Sequence, residues 1–291
     1  MKTKKSLFLL ILFFFVITVS YANNVSEQFF AGMEEFDKEN YSKSIKMFKK
    51  ILKKNPKVSD LGKVQAQIAL AYEKMEKYKK AFKAYEEIFK NYPGYEEFET
   101  IVEREYFLAE KFNTKTELSW LGIDFSESDK MALDIYQKVV EHLPFGEYGQ
   151  KAMLETIRLF LKNKNHEQVE KKIDVFYKNY ERSEFVEEIS YLEALNYHMQ
   201  MKKSDYDQTK SNTAMEKCTK YIQKYPTGKF IEKVTAMLEE IKNIICENKF
   251  NTGKFYLTNN NKDAANKYFN DIINNFPDTS WAKMASDSLI Q

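Results

Sequence analysis

GKVQAQIALAYEKMEKYKKAFKAYEEIFKNYP, residues 62–93, decides the fold. Ile68, Ala69 and Tyr72 share one face of a helix, and after a break Ala81, Tyr85 and Ile88 recur at helical spacing on a second. The spacing predicts two antiparallel helices with Tyr78 in the short turn between them. Pro93 closes the pair, because proline cannot continue a helix. The rest of the chain repeats this arrangement. All five prolines, Pro56, Pro93, Pro144, Pro226 and Pro277, stand at the end of such a pair, and Glu181 takes the equivalent place in a sixth.

Counting back from Pro93 as position 32 of an about 34-residue unit puts Ala69 at 8, Tyr72 at 11, Ala81 at 20, Tyr85 at 24 and Ile88 at 27. The pattern resembles the tetratricopeptide repeat, with small residues at 8 and 20 and bulky ones at 11 and 24. Packing is the reason: the two helices cross most closely where 8 meets 20, while 24 and 27 fill the gap to the neighbouring unit. The expected fold is therefore all-α, a right-handed tetratricopeptide-repeat solenoid of about five to six helix-turn-helix units. The units read as 25–56, 62–93, 98–144, 148–181, 185–226 and 229–277, with a capping helix at 280–290.

The units differ in instructive ways. The first has Gly32 at 8, Tyr41 in the turn, Ser44 at 20, Phe48 at 24 and Ile51 at 27, but Glu35 where an aromatic belongs. The third is interrupted between Phe112 and Ala132, and Ser126 or Ser128 can cap its second helix. The insertion carries Trp120, Leu121 and Ile123, which read either as a local plug or as a partner contact. In the fourth, Ile157 and Val169 occupy the small-residue positions, so its helices are expected further apart. The fifth has a polar insertion at Lys202–Lys210 before Ala214, Cys218 and Tyr221. The sixth returns to the pattern with Gly253, Tyr256, Ala265, Phe269 and Ile272, and its first helix is expected to run unbroken from Lys229 through Leu257. Aromatics four residues after the late closing positions, Tyr148, Phe185, Phe230 and Trp281, are placed to pack across the turns.

Residues 1–22 read as a cleaved secretory signal peptide: Lys2, Lys4 and Lys5, an apolar run Leu7–Val19, then Ser20-Tyr21-Ala22. The run falls short of the roughly 20 residues a membrane span needs. No Cys follows it, so no lipobox is expected and membrane association would be indirect. Removing this segment takes away three Lys and no acid, so the formal charge falls from +2 to −1. Interspersed Lys and Glu at near-neutral charge give no electrostatic case for nucleic acid. The expected location is the periplasm, peripheral to the outer membrane. Cys218 and Cys246 are placed about 15 Å apart along neighbouring helices, too far for a disulfide.

No catalytic constellation emerges, and neither cofactor nor metal is expected. His142, His166 and His198 fall in different units without ligand spacing, and no phosphate-cradling loop or nucleophile elbow occurs. Glu86-Glu87 and Glu239-Glu240 read as solvated, salt-paired helix faces. What remains is surface for other proteins. In a tetratricopeptide array the first helix of each unit lines a concave groove. Phe29, Met33 and Phe36 fall there from the first unit, Ala66 and Leu70 from the second, and Tyr106 from the third. Leu154 and Arg158 follow from the fourth, then Phe250 and Lys254 from the sixth. An apolar end that turns basic suits an extended peptide with an aromatic residue and a carboxylate. The competing readings have Phe29, Met33 and Phe36 packing beneath the N-terminal segment, or the groove register displaced by one residue.

Three stretches carry a closer resemblance: GMEEFDKENYSKSIKMF, LGIDFSESDKMALDIYQKVVEHLPFGEYGQKA and ENKFNTGKFYLTNNNKDAANKYFNDIINNFPDTSWAKMA. They are similar to the BamD-like outer-membrane assembly lipoproteins, periplasmic tetratricopeptide proteins that serve the β-barrel assembly machinery. The resemblance implies a non-catalytic scaffold that holds the insertase through its C-terminal repeats. It engages client or accessory segments, including unfolded barrel proteins, through its N-terminal groove. Phe29, Met33, Phe36 and Leu70 would then be groove residues, and Glu247, Phe250 and Lys254 would lie on the insertase-facing half. The missing lipobox and about one extra repeat depart from the family. The alternative is a periplasmic adaptor for polysaccharide export, pilus or cell-wall machinery.

The repeat register makes a direct prediction. Ala81→Leu should overpack the helix crossing and cost about 1–3 kcal/mol of unfolding free energy in urea melts, whereas Lys83→Leu should change it little.

Overall fold

The computed structural model describes residues 25–54, 61–113, 127–201 and 209–289. Among the described residues every regular element is helical. They are α1 (25–37), α2 (Tyr41–Lys54), α3 (Gly62–Lys74), α4 (Tyr78–Asn91), α5 (Phe98–Asn113), α6 (Glu127–His142) and α7 (Glu147–Lys162). Then follow α8 (His166–Asn179), α9 (Val186–Met199), α10 (Thr209–Lys224), α11 (Ile231–Thr258), α12 (Lys262–Asn275) and α13 (Ser280–Leu289). The chain is all-α and of the tetratricopeptide-repeat class. The helices divide into two compact lobes, one holding α1–α6 and the other α7–α13.

In the first lobe, each helical pair closes over small residues. Ala69 and Ala81 are fully buried, with Tyr85 and Ile88 beside them. In the first pair a Cβ added to Gly32 would lie 2.5 Å from Cε1 of Phe48, so position 8 must stay small to admit the position-24 ring. Glu35 links the two helices of this pair. Its carboxylate accepts from Asn40 Nδ2 at 3.0 Å and Lys43 Nζ at 2.9 Å, tying the end of α1 to the start of α2. Tyr41 and Tyr78 open the second helices rather than sitting in the turns. Ser128 does not cap its own helix by its hydroxyl. That group donates to the Phe112 carbonyl at 2.7 Å and closes the end of α5. Ser126 lies outside the described residues, as do the signal segment 1–22 and Trp120, Leu121 and Ile123.

In the second lobe, Gly253 repeats the close approach against Phe269, with an added Cβ 2.7 Å from its Cε1. Helix α11 is continuous over 28 residues, as the absence of an internal breaker before Gly253 requires. Cys218 and Cys246 are free and buried, and burial pushes the Cys218 thiol up to about 11. Phe230 stacks on Tyr191 with centroids 4.4 Å apart and planes 2° from parallel. Trp281 meets Phe250 at 5.6 Å, which docks α13 on α11. Helices α7 and α8, with Ile157 and Val169 at the small-residue positions, approach each other less extensively than α3 and α4 or α11 and α12.

One backbone device recurs in both lobes. Glu39, Glu76, Lys164 and Asn260 each adopt a left-handed conformation, with φ between 54° and 61°. Each stands two residues before a second helix, and the next N–H bonds five residues back: Asn40 to Glu35, Lys77 to Tyr72, Asn165 to Phe160 and Asn261 to Tyr256. This is a Schellman closure, and none of the four uses the glycine that usually occupies it. At the far end of the hairpins, Tyr92, Tyr180 and Phe276 share φ values of −134°, −133° and −136°. Pro93 and Pro277 would impose an extended backbone on the residue before them. Tyr180 reaches the same geometry before Glu181, so packing is sufficient to set it.

The Phe48 contact makes Gly32 a specific test. Gly32→Ala should lower the melting temperature, because overpacking of about 1–3 kcal/mol exceeds the helix-propensity gain of about 1 kcal/mol. Gly94→Ala, with open space around an added Cβ, should leave it within about 0.5 kcal/mol.

Candidate functional site

Within the first lobe, the apolar groove candidates are partly occupied by the fold. Phe29 lies half-buried with its ring 5.6 Å from Phe48, and Phe36 makes an edge contact with Tyr41 at 5.1 Å. Met33 and Leu70 are half-buried, whereas Ala66 and Tyr106 are buried, Tyr106 against Tyr136 at 5.6 Å. In the first repeat Phe30, one place along from the expected Phe29, is 67% exposed. A cleft of about 430 Å³ lies elsewhere in this lobe, between α2, α3 and α4. Lys49 donates to the Tyr72 hydroxyl at 3.0 Å, and Lys49 and Lys80 both approach the Tyr72 ring, giving the cleft a basic rim.

Within the second lobe, Leu154 and Phe250 are buried, Phe250 between Phe269 and Trp281 at 5.4 and 5.6 Å. Arg158 is exposed, but its guanidinium bonds to Glu155 and to Glu188, so its charge is already matched. Glu247 and Lys254 are exposed on α11. With Asn251, Phe255 and Thr258 they form a solvent-facing stripe at helical spacing. Phe255, 64% exposed, is the apolar member of that stripe. It stands in the last of the three stretches that carry the family resemblance, beside Phe250 and Lys254 but outside the repeat positions that line the groove.

A third constellation lies in the first lobe and was missed from sequence. Glu86 on α4, Glu105 on α5 and His142 at the end of α6 bring one ligand-capable atom each to within 4.8 Å of one another. His142 Nε2 is 2.7 Å from Glu86 Oε1 and 3.9 Å from Glu105 Oε2. The imidazole stacks on Phe89 with centroids 3.6 Å apart, which sets its plane. Glu105 is fully buried, and neither of its carboxyl oxygens accepts from a protein N–H or O–H donor; its hydrogen-bonding neighbour is the Glu86 carboxyl group. Burial first, then the Glu86 carboxylate, push the Glu105 carboxyl well above the usual carboxylate range. Glu86 moves the other way: burial alone would raise it, but the contact with His142 holds it below. The sequence signal was an acid on an apolar stripe, since Glu105 shares a face with Ile101, Leu108 and Phe112. Structure thus pairs Glu86 with Glu105, not with its neighbour Glu87.

The sequence model of the YfiO family, described as outer membrane lipoprotein, matches residues 125–290, more than half of the chain. A tetratricopeptide-repeat model matches residues 67–95. No curated protein sequence matches the chain. Among solved structures, a tetratricopeptide repeat protein from Parabacteroides merdae is 14% identical, with a TM-score of 0.38, covering 91% of this chain and 97% of that one. PilW, a type IV pilus biogenesis factor, is 14% identical with a TM-score of 0.31, covering 89% of this chain and 97% of that one. Neither likeness bears on function. Among the described residues no helix is long and apolar enough to cross a membrane. The breadth of the family match and the repeated helical hairpins together establish that the chain belongs to the YfiO family of outer membrane lipoproteins, as a BamD-like tetratricopeptide-repeat protein.

Proposed function

We propose that this protein is a non-catalytic periplasmic scaffold of the outer-membrane β-barrel assembly machinery. The observation that carries the reading is the family match over 125–290, which contains the exposed α11 stripe of Glu247, Lys254 and Phe255. A continuous 28-residue helix extends about 42 Å and is a stiff platform. An exposed aromatic flanked by one acid and one base has the make-up of an interface anchor with a polar rim. In this reading α11 receives the insertase subunit. The first lobe receives client or accessory segments through the half-buried Phe29, Met33, Phe36 and Leu70, with Phe30 as the ring already presented.

A pull-down of the tagged protein from gently solubilised envelopes, read by mass spectrometry, tests this. The expected result is recovery of a large outer-membrane barrel subunit with periplasmic domains. A Glu247→Lys, Lys254→Glu, Phe255→Ser variant that keeps its helix content should lose about tenfold or more of that recovery. Recovery of export, pilus or cell-wall proteins alone would overturn the reading in favour of an adaptor for another envelope complex.

A further inference from the structure

We propose that Glu86, Glu105 and His142 form a binding site for one divalent transition-metal ion of the zinc type, joining α4, α5 and α6 within the first lobe. Two independent observations meet here. The first is geometric: an imidazole nitrogen and two carboxylate oxygens converge within 4.8 Å. The second is the state of Glu105, fully buried, reached by no N–H or O–H donor, with the Glu86 carboxyl group as its hydrogen-bonding neighbour and Oε2 turned toward His142. Two carboxyl groups that face each other without an N–H or O–H donor require an explanation, and an ion is one that satisfies them.

The donor set selects the class of ion. An imidazole with two carboxylates suits zinc and its first-row neighbours, whereas calcium and magnesium favour oxygen-only shells. Two ionised carboxylates and a neutral imidazole balance a 2+ charge, so the buried Glu105 would no longer lack a counter-charge. Donors at about 2.0–2.1 Å from a tetrahedral ion lie about 3.4 Å apart. To reach that spacing the 2.7 Å pair would open by about 0.7 Å and the 3.9 Å pair would close by about 0.5 Å, within side-chain adjustment. Phe89 already holds the imidazole plane, which limits what binding must order. Lys138, whose charge acts on both carboxyl groups, is bonded to Glu141 at 2.5 Å and makes no hydrogen bond to Glu105. Because the three ligands come from three helices, the ion would stabilise the folded lobe by mass action.

The experiment uses the full chain with a tag that contains no histidine, stripped with chelator and dialysed. Zinc chloride is titrated against a chromophoric competitor, and cobalt(II) is added separately as an optical probe. The expected result is one zinc per chain, a visible cobalt absorption of four-coordinate type, and a higher melting temperature with zinc. Glu105→Gln, isosteric with the native residue, and Glu86→Gln should each weaken binding about tenfold or more and abolish the thermal shift. His142→Ala should do the same, and helix content by circular dichroism checks all three. Absence of stoichiometric binding, or binding that the folded Gln variants leave unchanged, would overturn the site and assign the cluster to a proton shared by Glu105 and Glu86.

Discussion

The close approach of the two helices in each hairpin is the constraint on which the rest of this architecture depends. A glycine lies under a phenylalanine ring at Gly32 and Phe48, and again at Gly253 and Phe269. Alanines take the corresponding place at Ala69 and Ala81. Once the helices are this near, the chain must reverse within a few residues. The left-handed turns at Glu39, Glu76, Lys164 and Asn260 are the common solution. Their unfavourable backbone geometry is offset by the buried rings and by the carbonyl closures across the turn.

Where the small residues are lost, polar links take over. The α7/α8 pair carries Ile157 and Val169 at the small-residue positions and is less extensively engaged than α3/α4 or α11/α12. It is also cross-linked to α9. His166 Nδ1 meets Asn196 Oδ1 at 2.8 Å, Arg158 bonds Glu188, and Gln200 donates to Glu170 at 3.4 Å. Elsewhere, acids near the core have donors. Glu73 receives Tyr85 at 2.9 Å and Arg104 at 3.1 Å, and Glu187 receives the Tyr221 hydroxyl at 2.7 Å. Against this pattern Glu105 is the exception. Its neighbours are a second carboxylate and an imidazole rather than a committed donor.

A repeat protein separates structural work from recognition. Hairpin cores hold position, and the outward helix faces are free to vary, which leaves the α11 stripe of Glu247, Lys254 and Phe255 available without cost to the core. The buried thiols fit the same division. Cys218 fills the position that Phe48, Tyr85 and Phe269 fill elsewhere, and its raised pKa makes it a poor nucleophile.

The sequence by itself determined the helical hairpins, their closing positions and the continuous first helix of the last repeat. These follow from local causes: apolar periodicity, proline's missing donor and the absence of breakers. It also marked Glu35 as a departure without saying what the departure did. Tertiary structure alone decided which of two adjacent rings faces solvent, burying more of Phe29 and presenting Phe30. It took Ala66, Tyr106, Leu154 and Phe250 into packing, and it set the left-handed turns on residues whose side chains do not announce them. It also assembled Glu86, Glu105 and His142 from three helices. A shared site of this kind depends on helix rotation and crossing angle, and neither is encoded in the spacing of any one helix.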